Sequence, residues 1–304
     1  MQSALRAVFS SFSREECEFL PSYSLARLTT LRIGGPAAVL ALPRTEAALC
    51  RLLTLLGDAG IPRFLMGNGS NLLAPDGGYR GVVIRTTALR DITARGNTVT
   101  AACGASLPAV VRLSNSLGIA GFSALAGIPA SIGGALFMNA GAGDACIGDR
   151  VVTVRVVPAS GGEPFEITGE ECHFSYRKSI FQGRGLAVLS AVLSGKPGDP
   201  SVLSEETHLA LERRRRTQPL DFPSAGSIFR RPPGDFAGRL IEAAGLRGYR
   251  IGGAGISSKH AGFLINVKDA TAADARALIE LARATVMERF GVLLKREIEY
   301  LGEA

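Results

Sequence analysis

Residues 125–142 read LAGIPASIGGALFMNAGA, and the reading of the chain turns on them. No Asp, Glu, Lys, Arg or His occurs in the stretch, five of its residues are Gly or Pro, and it holds a single amide, Asn139. Glycine weakens a helix and proline removes a donor, so no ordinary core helix is expected here. The run is also too short and too interrupted to cross a membrane. It suits a flat, bulky ligand lying against backbone: Gly133-Gly134 gives close approach, and Asn139 offers both a donor and an acceptor.

A second small-residue loop, Gly67-Asn68-Gly69-Ser70-Asn71, follows the apolar run Phe64-Leu65-Met66. A strand ending in a glycine-rich turn presents backbone N–H groups to phosphate. The dinucleotide fingerprint G-x-G-x-x-G fails because Leu72 stands at its third glycine position, which argues against a Rossmann fold. Either loop alone is more simply a tight turn. The two together point to a nucleotide cofactor.

Composition narrows the function classes. A chain of 304 residues can hold two or three domains. The net charge of +7 suits anionic small molecules. Its densest basic run, Arg213 to Arg216, holds no aromatic, so the reading is a solvated helix face and not a nucleic-acid surface. The five cysteines, Cys17, Cys50, Cys103, Cys146 and Cys172, are odd in number and widely spaced. With the three scattered histidines, they give neither a disulfide frame nor a metal-ligand spacing. Arg6, Arg14, Glu15 and Glu16 interrupt any signal-peptide core, so the expected location is the cytoplasm.

Periodicity predicts the elements. A strand over Leu31–Ile33 runs into the Gly34-Gly35-Pro36 turn. Residues 44–59 read as a helix with Thr45 as N-cap, the stripe Leu49, Leu52, Leu53 and Leu56, and Gly60 as terminator. Strands follow at 64–66 and 81–85, then a hairpin turning at Arg95-Gly96-Asn97. A helix over 107–117 begins after Ser106. Residues 151–158 alternate as a strand and return, past Gly161-Gly162, over 164–167. GKPGDP at 195–200 has linker composition. A helical stretch over 205–216, a turn at PSAGSIF, short helical and strand segments at 239–244 and 263–267, a helix over 272–289 and a strand over 292–301 complete the chain.

In order along the sequence, GNGSNLL (67–73), GIPASIGGALFMNAGA (127–142), YRKSIF (176–181), PSAGSIF (223–229) and LKREIEYLG (294–302) resemble the UDP-N-acetylenolpyruvoylglucosamine reductase family. The resemblance runs from about Leu28 to Gly302. It implies an α+β fold: an FAD-binding region of the vanillyl-alcohol-oxidase (PCMH) type with two subdomains, plus a C-terminal α+β substrate-binding domain. The expected divisions are 1–85, 86–200 and 201–304. It also implies an NADPH-dependent flavoprotein oxidoreductase of peptidoglycan precursor synthesis, with non-covalent FAD and a UDP-sugar substrate. A flavin oxidase on the same scaffold and a UDP-sugar-binding module without catalysis remain as alternatives. The chain is similar to the shorter subtype, which lacks an inserted substrate-covering tyrosine loop.

Residue by residue, the resemblance places Arg177, Ser227 and Glu297 in the catalytic site. Read alone, Arg177 ends a surface strand, Ser227 sits on a structural turn, and Glu297 shares a solvated strand face with Glu299. A guanidinium can hold a carboxylate with two parallel hydrogen bonds. Ser227 would be the proton donor, a role that a weak acid can fill only toward a strongly basic carbon. Gly67, Asn68, Gly69, Ser70, Asn71 and the stretch 127–141 would hold the cofactor. Tyr176, Lys178, Arg231 and Arg247 would contact substrate. The departures are Thr29 and Arg231 where Asn is common, Arg247 where Lys is common, and Arg296 where some members have Pro.

Overall fold

The computed structural model describes residues 2–302, without the side chains of residues 2–4. Residues 1, 303 and 304, at the outer ends of the expected first and third divisions, lie outside the described residues. The chain forms two compact units: Met1–Pro21, Val39–Asn68 and Gly81–Glu212 in the first, and Ser22–Ala38, Gly69–Arg80 and Arg213–Ala304 in the second.

The first unit is built on two main sheets. One is four-stranded, in the order Cys17–Ser24, Pro36–Pro43, Tyr79–Arg85, Arg63–Met66. The last two strands run parallel, with Met66 opposite Arg85. The helix Glu46–Asp58 buries Leu49, Leu52, Leu53 and Leu56 completely. Its entry is fixed as the sequence suggests, because Thr45 Oγ1 accepts the Ala48 N–H at 3.1 Å. The other sheet has five antiparallel strands in the order Phe165–Thr168, Val151–Pro158, Leu186–Ser194, Thr98–Ala102, Ile92–Arg95. The expected hairpin turns at Gly96-Asn97, with Arg95 opposite Thr98.

The stretch 125–142 differs from its sequence reading. It contains a helix of six residues, Ile132–Phe137. Ser131 caps it by accepting the Gly134 N–H, and Gly133 sits so close to Cys103 that a Cβ would lie 3.2 Å from the Cys103 Cβ. Packing thus places two glycines in a helix that propensity disfavours.

The second unit is organised on a four-stranded antiparallel sheet, Ser224–Ser227, Phe263–Asn266, Ala254–Ile256, Arg250–Ile251. Against it lies the helix Ala272–Phe290, which buries Ala275, Leu278, Ile279, Ala282 and Val286. Three expectations need correction. PSAGSIF forms an edge strand rather than a turn, with a register shift that puts Gly226 at φ 79°. Residues 31–33 form no strand; Arg32 takes φ 56°. The tail is regular strand only at Glu299–Tyr300, paired parallel to Leu72–Leu73. Upstream, Arg296 bridges Phe229 alone, so the tail changes partners midway.

Candidate functional site

Within the first unit, Gly67 and Asn68 of one glycine-rich loop meet the other loop. The Asn68 side chain donates to the Pro129 carbonyl at 3.2 Å. Gly67 has no room for a side chain, since a Cβ there would lie 1.8 Å from Ser131 Oγ. Among the described residues, the backbone N–H groups of Gly67, Asn68 and Gly127 find no protein acceptor. Beside them Arg85, in register with Met66, has a buried Nε with no partner. A half-buried guanidinium and a row of unmet donors fit an anionic group, as the diphosphate of FAD would be. Arg85 was absent from the sequence reading. Its signal was a lone cation closing an apolar strand, Val82-Val83-Ile84-Arg85.

Asn139 engages its amide within the first unit. It is buried, at φ 42°, with Nδ2 donating to the Ser175 carbonyl at 2.9 Å and Oδ1 accepting the Gly148 N–H at 3.0 Å. It thereby fixes the segment that carries Arg177. Ser175 and Lys178 exchange backbone hydrogen bonds at 3.1 and 3.0 Å, leaving Tyr176 and Arg177 as the two central residues of a tight turn. Arg177 takes φ 55°, which a non-glycine residue adopts at a cost. Gln182 holds its carbonyl at 3.1 Å, and the guanidinium donates to the carbonyls of Asn139 and Gly141 at 3.4 and 3.3 Å. The arginine therefore stands at the end of the stretch 125–142. Tyr176 is exposed, 5.3 Å from the guanidinium carbon to its ring centre. Lys178 closes the turn.

In the second unit, Ser227 and Glu297 lie on adjoining segments. Ser227 ends the edge strand opposite Phe263, and its hydroxyl has no hydrogen-bond partner among the described residues. The next residue, Ile228, accepts the Glu297 N–H at 2.8 Å. Glu297 is buried, while Glu299 is half-buried. The two carboxylates that looked alike in sequence thus occupy different environments. Arg231 lies over the Phe236 ring at 4.6 Å. Arg247 donates from Nε to the Ser258 carbonyl and from Nη1 to the Glu242 carboxylate, so much of its donor capacity is engaged within the unit.

Comparison with known proteins agrees over nearly the whole chain. Residues 218–301 match the model of the UDP-N-acetylenolpyruvoylglucosamine reductase C-terminal domain, and residues 36–166 match that of an FAD binding domain. A UDP-N-acetylenolpyruvoylglucosamine reductase of Caldicellulosiruptor bescii is 44% identical over 94% of this chain and 91% of its own length. The crystal structure of the Thermus caldophilus reductase of that name superposes with a TM-score of 0.79 at 33% identity, covering 93% of this chain and 98% of the other. A glucose dehydrogenase, Phl p 4.0202, shares fold alone: 13% identity and a TM-score of 0.50 over 65% of this chain and 44% of its own. The fold class is therefore α+β, an FAD-binding region of the vanillyl-alcohol-oxidase type followed by the reductase C-terminal domain.

Proposed function

The chain belongs to the UDP-N-acetylenolpyruvoylglucosamine reductase family, and from that premise we propose that it reduces the enolpyruvyl ether of UDP-N-acetylglucosamine to UDP-N-acetylmuramate, using NADPH and non-covalent FAD. The observation that carries the residue roles is the pairing of an unpartnered Ser227 hydroxyl with a buried Glu297, joined through Ile228 at 2.8 Å.

Gly67, Asn68, Gly69, Ser70, Gly127 and Arg85 hold the diphosphate of the cofactor, and Ile128, Pro129, Gly133, Gly134 and Gly141 keep its surroundings small. When bound and reduced by NADPH, the flavin would supply hydride for the terminal vinyl carbon of the substrate. Negative charge then develops on the neighbouring carbon and its carboxylate. Arg177 stabilises that charge as a fixed cation. Glu297, buried on the segment that adjoins Ser227, is the second group placed at that charge. Ser227 delivers its proton to the carbon that bears the carboxylate, completing the saturated ether. Tyr176, Lys178, Arg231 and Arg247 contact the UDP-sugar, Arg247 through the donors that Glu242 and Ser258 leave over.

The division 1–85, 86–200 and 201–304 is part of this proposal, supported by one principal sheet in each part. So is a cytoplasmic location, supported by the chemistry of a soluble UDP-sugar. No helix among the described residues is long and apolar enough to cross a membrane.

Anaerobic mixing tests the function. NADPH should bleach the yellow holoenzyme, and the enolpyruvyl ether should then restore its colour with one equivalent of saturated product. Restoration by oxygen alone would make it an oxidase. A colourless protein that binds UDP-sugars would make it a binding module.

A further inference from the structure

The tail of the second unit changes hydrogen-bonding partner at Glu297. Before it, Arg230 N–H donates to the Lys295 carbonyl at 2.8 Å, Phe229 bridges Arg296, and Glu297 N–H donates to Ile228. After it, Glu299 N–H donates to the Asn71 carbonyl and Leu301 N–H to the Leu73 carbonyl, both at 3.0 Å. Between the two ladders, the Asn71 side chain donates to the Glu297 carbonyl, Nδ2 to O at 3.0 Å. Asn71 thus grips the tail on both sides of Ile298, immediately after the Glu297 side chain, with its amide on the carbonyl of residue 297 and its own carbonyl on the N–H of residue 299. A buried carbonyl left without this donor would be costly, and the tail would shift to find another.

From this bracket we propose that Asn71 is a positioning residue whose side chain sets the placement of the Glu297 carboxyl, in addition to closing the glycine-rich loop. The proposal rests on the reading of Glu297 as a catalytic group. Only asparagine or glutamine can supply a neutral side-chain N–H₂ here, and glutamine is one methylene too long for the same geometry. Aspartate has the right shape but, when ionised, no donor. The loop and the catalytic tail are therefore fixed by one side chain 226 residues away in sequence.

A double-mutant cycle tests the proposal on holoenzyme, with flavin content and NADPH oxidation recorded beside reoxidation by the enolpyruvyl ether. Asn71→Ala and Asn71→Asp are each scored per bound flavin, with NADPH oxidation as the reference half-reaction. Their reoxidation should slow by roughly ten- to a hundred-fold, the scale of misplacing a reacting group by an ångström. In a Glu297→Gln background the same substitutions should cost less than about threefold, because the group they position is already lost. Equal losses in both backgrounds would overturn the positioning role, as would loss of flavin with normal reoxidation of the holoenzyme that remains. A Glu297→Gln enzyme that reoxidises at the wild-type rate would instead defeat the functional reading beneath it.

Discussion

Arg177 and Glu297 are both placed where a charged side chain is expensive, but by opposite means. Arg177 rides a four-residue turn whose supports, Asn139, Gly141 and Gln182, lie within 38 residues of it. Its position is held by local backbone strain at φ 55° and by side-chain hydrogen bonds to carbonyls. Glu297 is placed by main-chain pairing to segments distant in sequence, and by one amide from Asn71. A turn can be relaxed without unmaking its unit. A tail that joins two neighbours cannot. The arginine side should therefore separate stability from activity, whereas the serine and glutamate side should separate one half-reaction from the other.

The largest effect should come from Ser227→Ala. Loss of a general acid costs roughly a hundred- to ten-thousand-fold, whereas removing a hydroxyl that makes no hydrogen bond should alter stability by about 1 kcal/mol or less. Stopped-flow traces should show NADPH oxidation near the wild-type rate and reoxidation by the enolpyruvyl ether almost abolished. Equal slowing of both phases would place Ser227 in folding or cofactor binding instead.

Arg177→Gly sharpens the contrast. Glycine accepts φ 55° freely, so relief of strain offsets its greater chain entropy, and stability should change by no more than about 1 kcal/mol. Removing one electrostatic partner of the developing charge should still slow reoxidation by roughly a hundred- to a thousand-fold. Thermal denaturation and single-turnover rates on the same preparation check both halves. A large loss of stability would show that the turn depends on the guanidinium contacts more than on its backbone.

Gly67→Ala tests the other local device, the close approach of the two loops. Its Cβ would meet Ser131 Oγ at 1.8 Å and Ser131 Cβ at 2.9 Å, so one loop must move. Overpacking of this kind costs about 1–3 kcal/mol, and flavin retention should fall with it. Adding Ser131→Gly should recover part of both, read by melting temperature and flavin absorbance.

The smallest effect lies away from either catalytic group. Arg239 and the Phe236 N–H hold the Asp235 carboxyl down to about 2. A depressed carboxylate contributes stability that is complete above the unfolded value of about 3.9 and is lost as pH falls through the folded value. Asp235→Asn should therefore leave stability at neutral pH slightly lower and flatten its decline between about pH 4 and 2. Because the pair is solvent-exposed, added salt should shrink the difference.

Local signals made much of the scaffold readable. Thr45 and the leucine stripe fix one helix, Gly96-Asn97 one hairpin, and the alternation of Val151–Pro158 one strand. What escaped depends on partners far along the chain. The helix Ile132–Phe137 exists because Gly133 packs on Cys103 and donates to its carbonyl, which no propensity records. The tail is extended yet is strand only at Glu299–Tyr300, because it changes partner at Glu297. The proposed site residues come from motif order, not from their chemistry. In sequence Glu297 and Glu299 are indistinguishable, and Asn139 and Asn71 look like amides for a ligand. Folding turns Asn139 and Asn71 toward the backbone segments that carry Arg177 and Glu297.

The most direct measurement is anaerobic turnover of the enolpyruvyl ether with NADPH in deuterated water, with the product read by NMR. The account predicts saturated UDP-N-acetylmuramate with solvent deuterium on the carbon bearing the carboxylate, where Ser227 delivers its proton, and the transferred hydride in the methyl group. Recovery of the ether unchanged, or solvent deuterium in the methyl group with hydride on the carboxylate-bearing carbon, would contradict it.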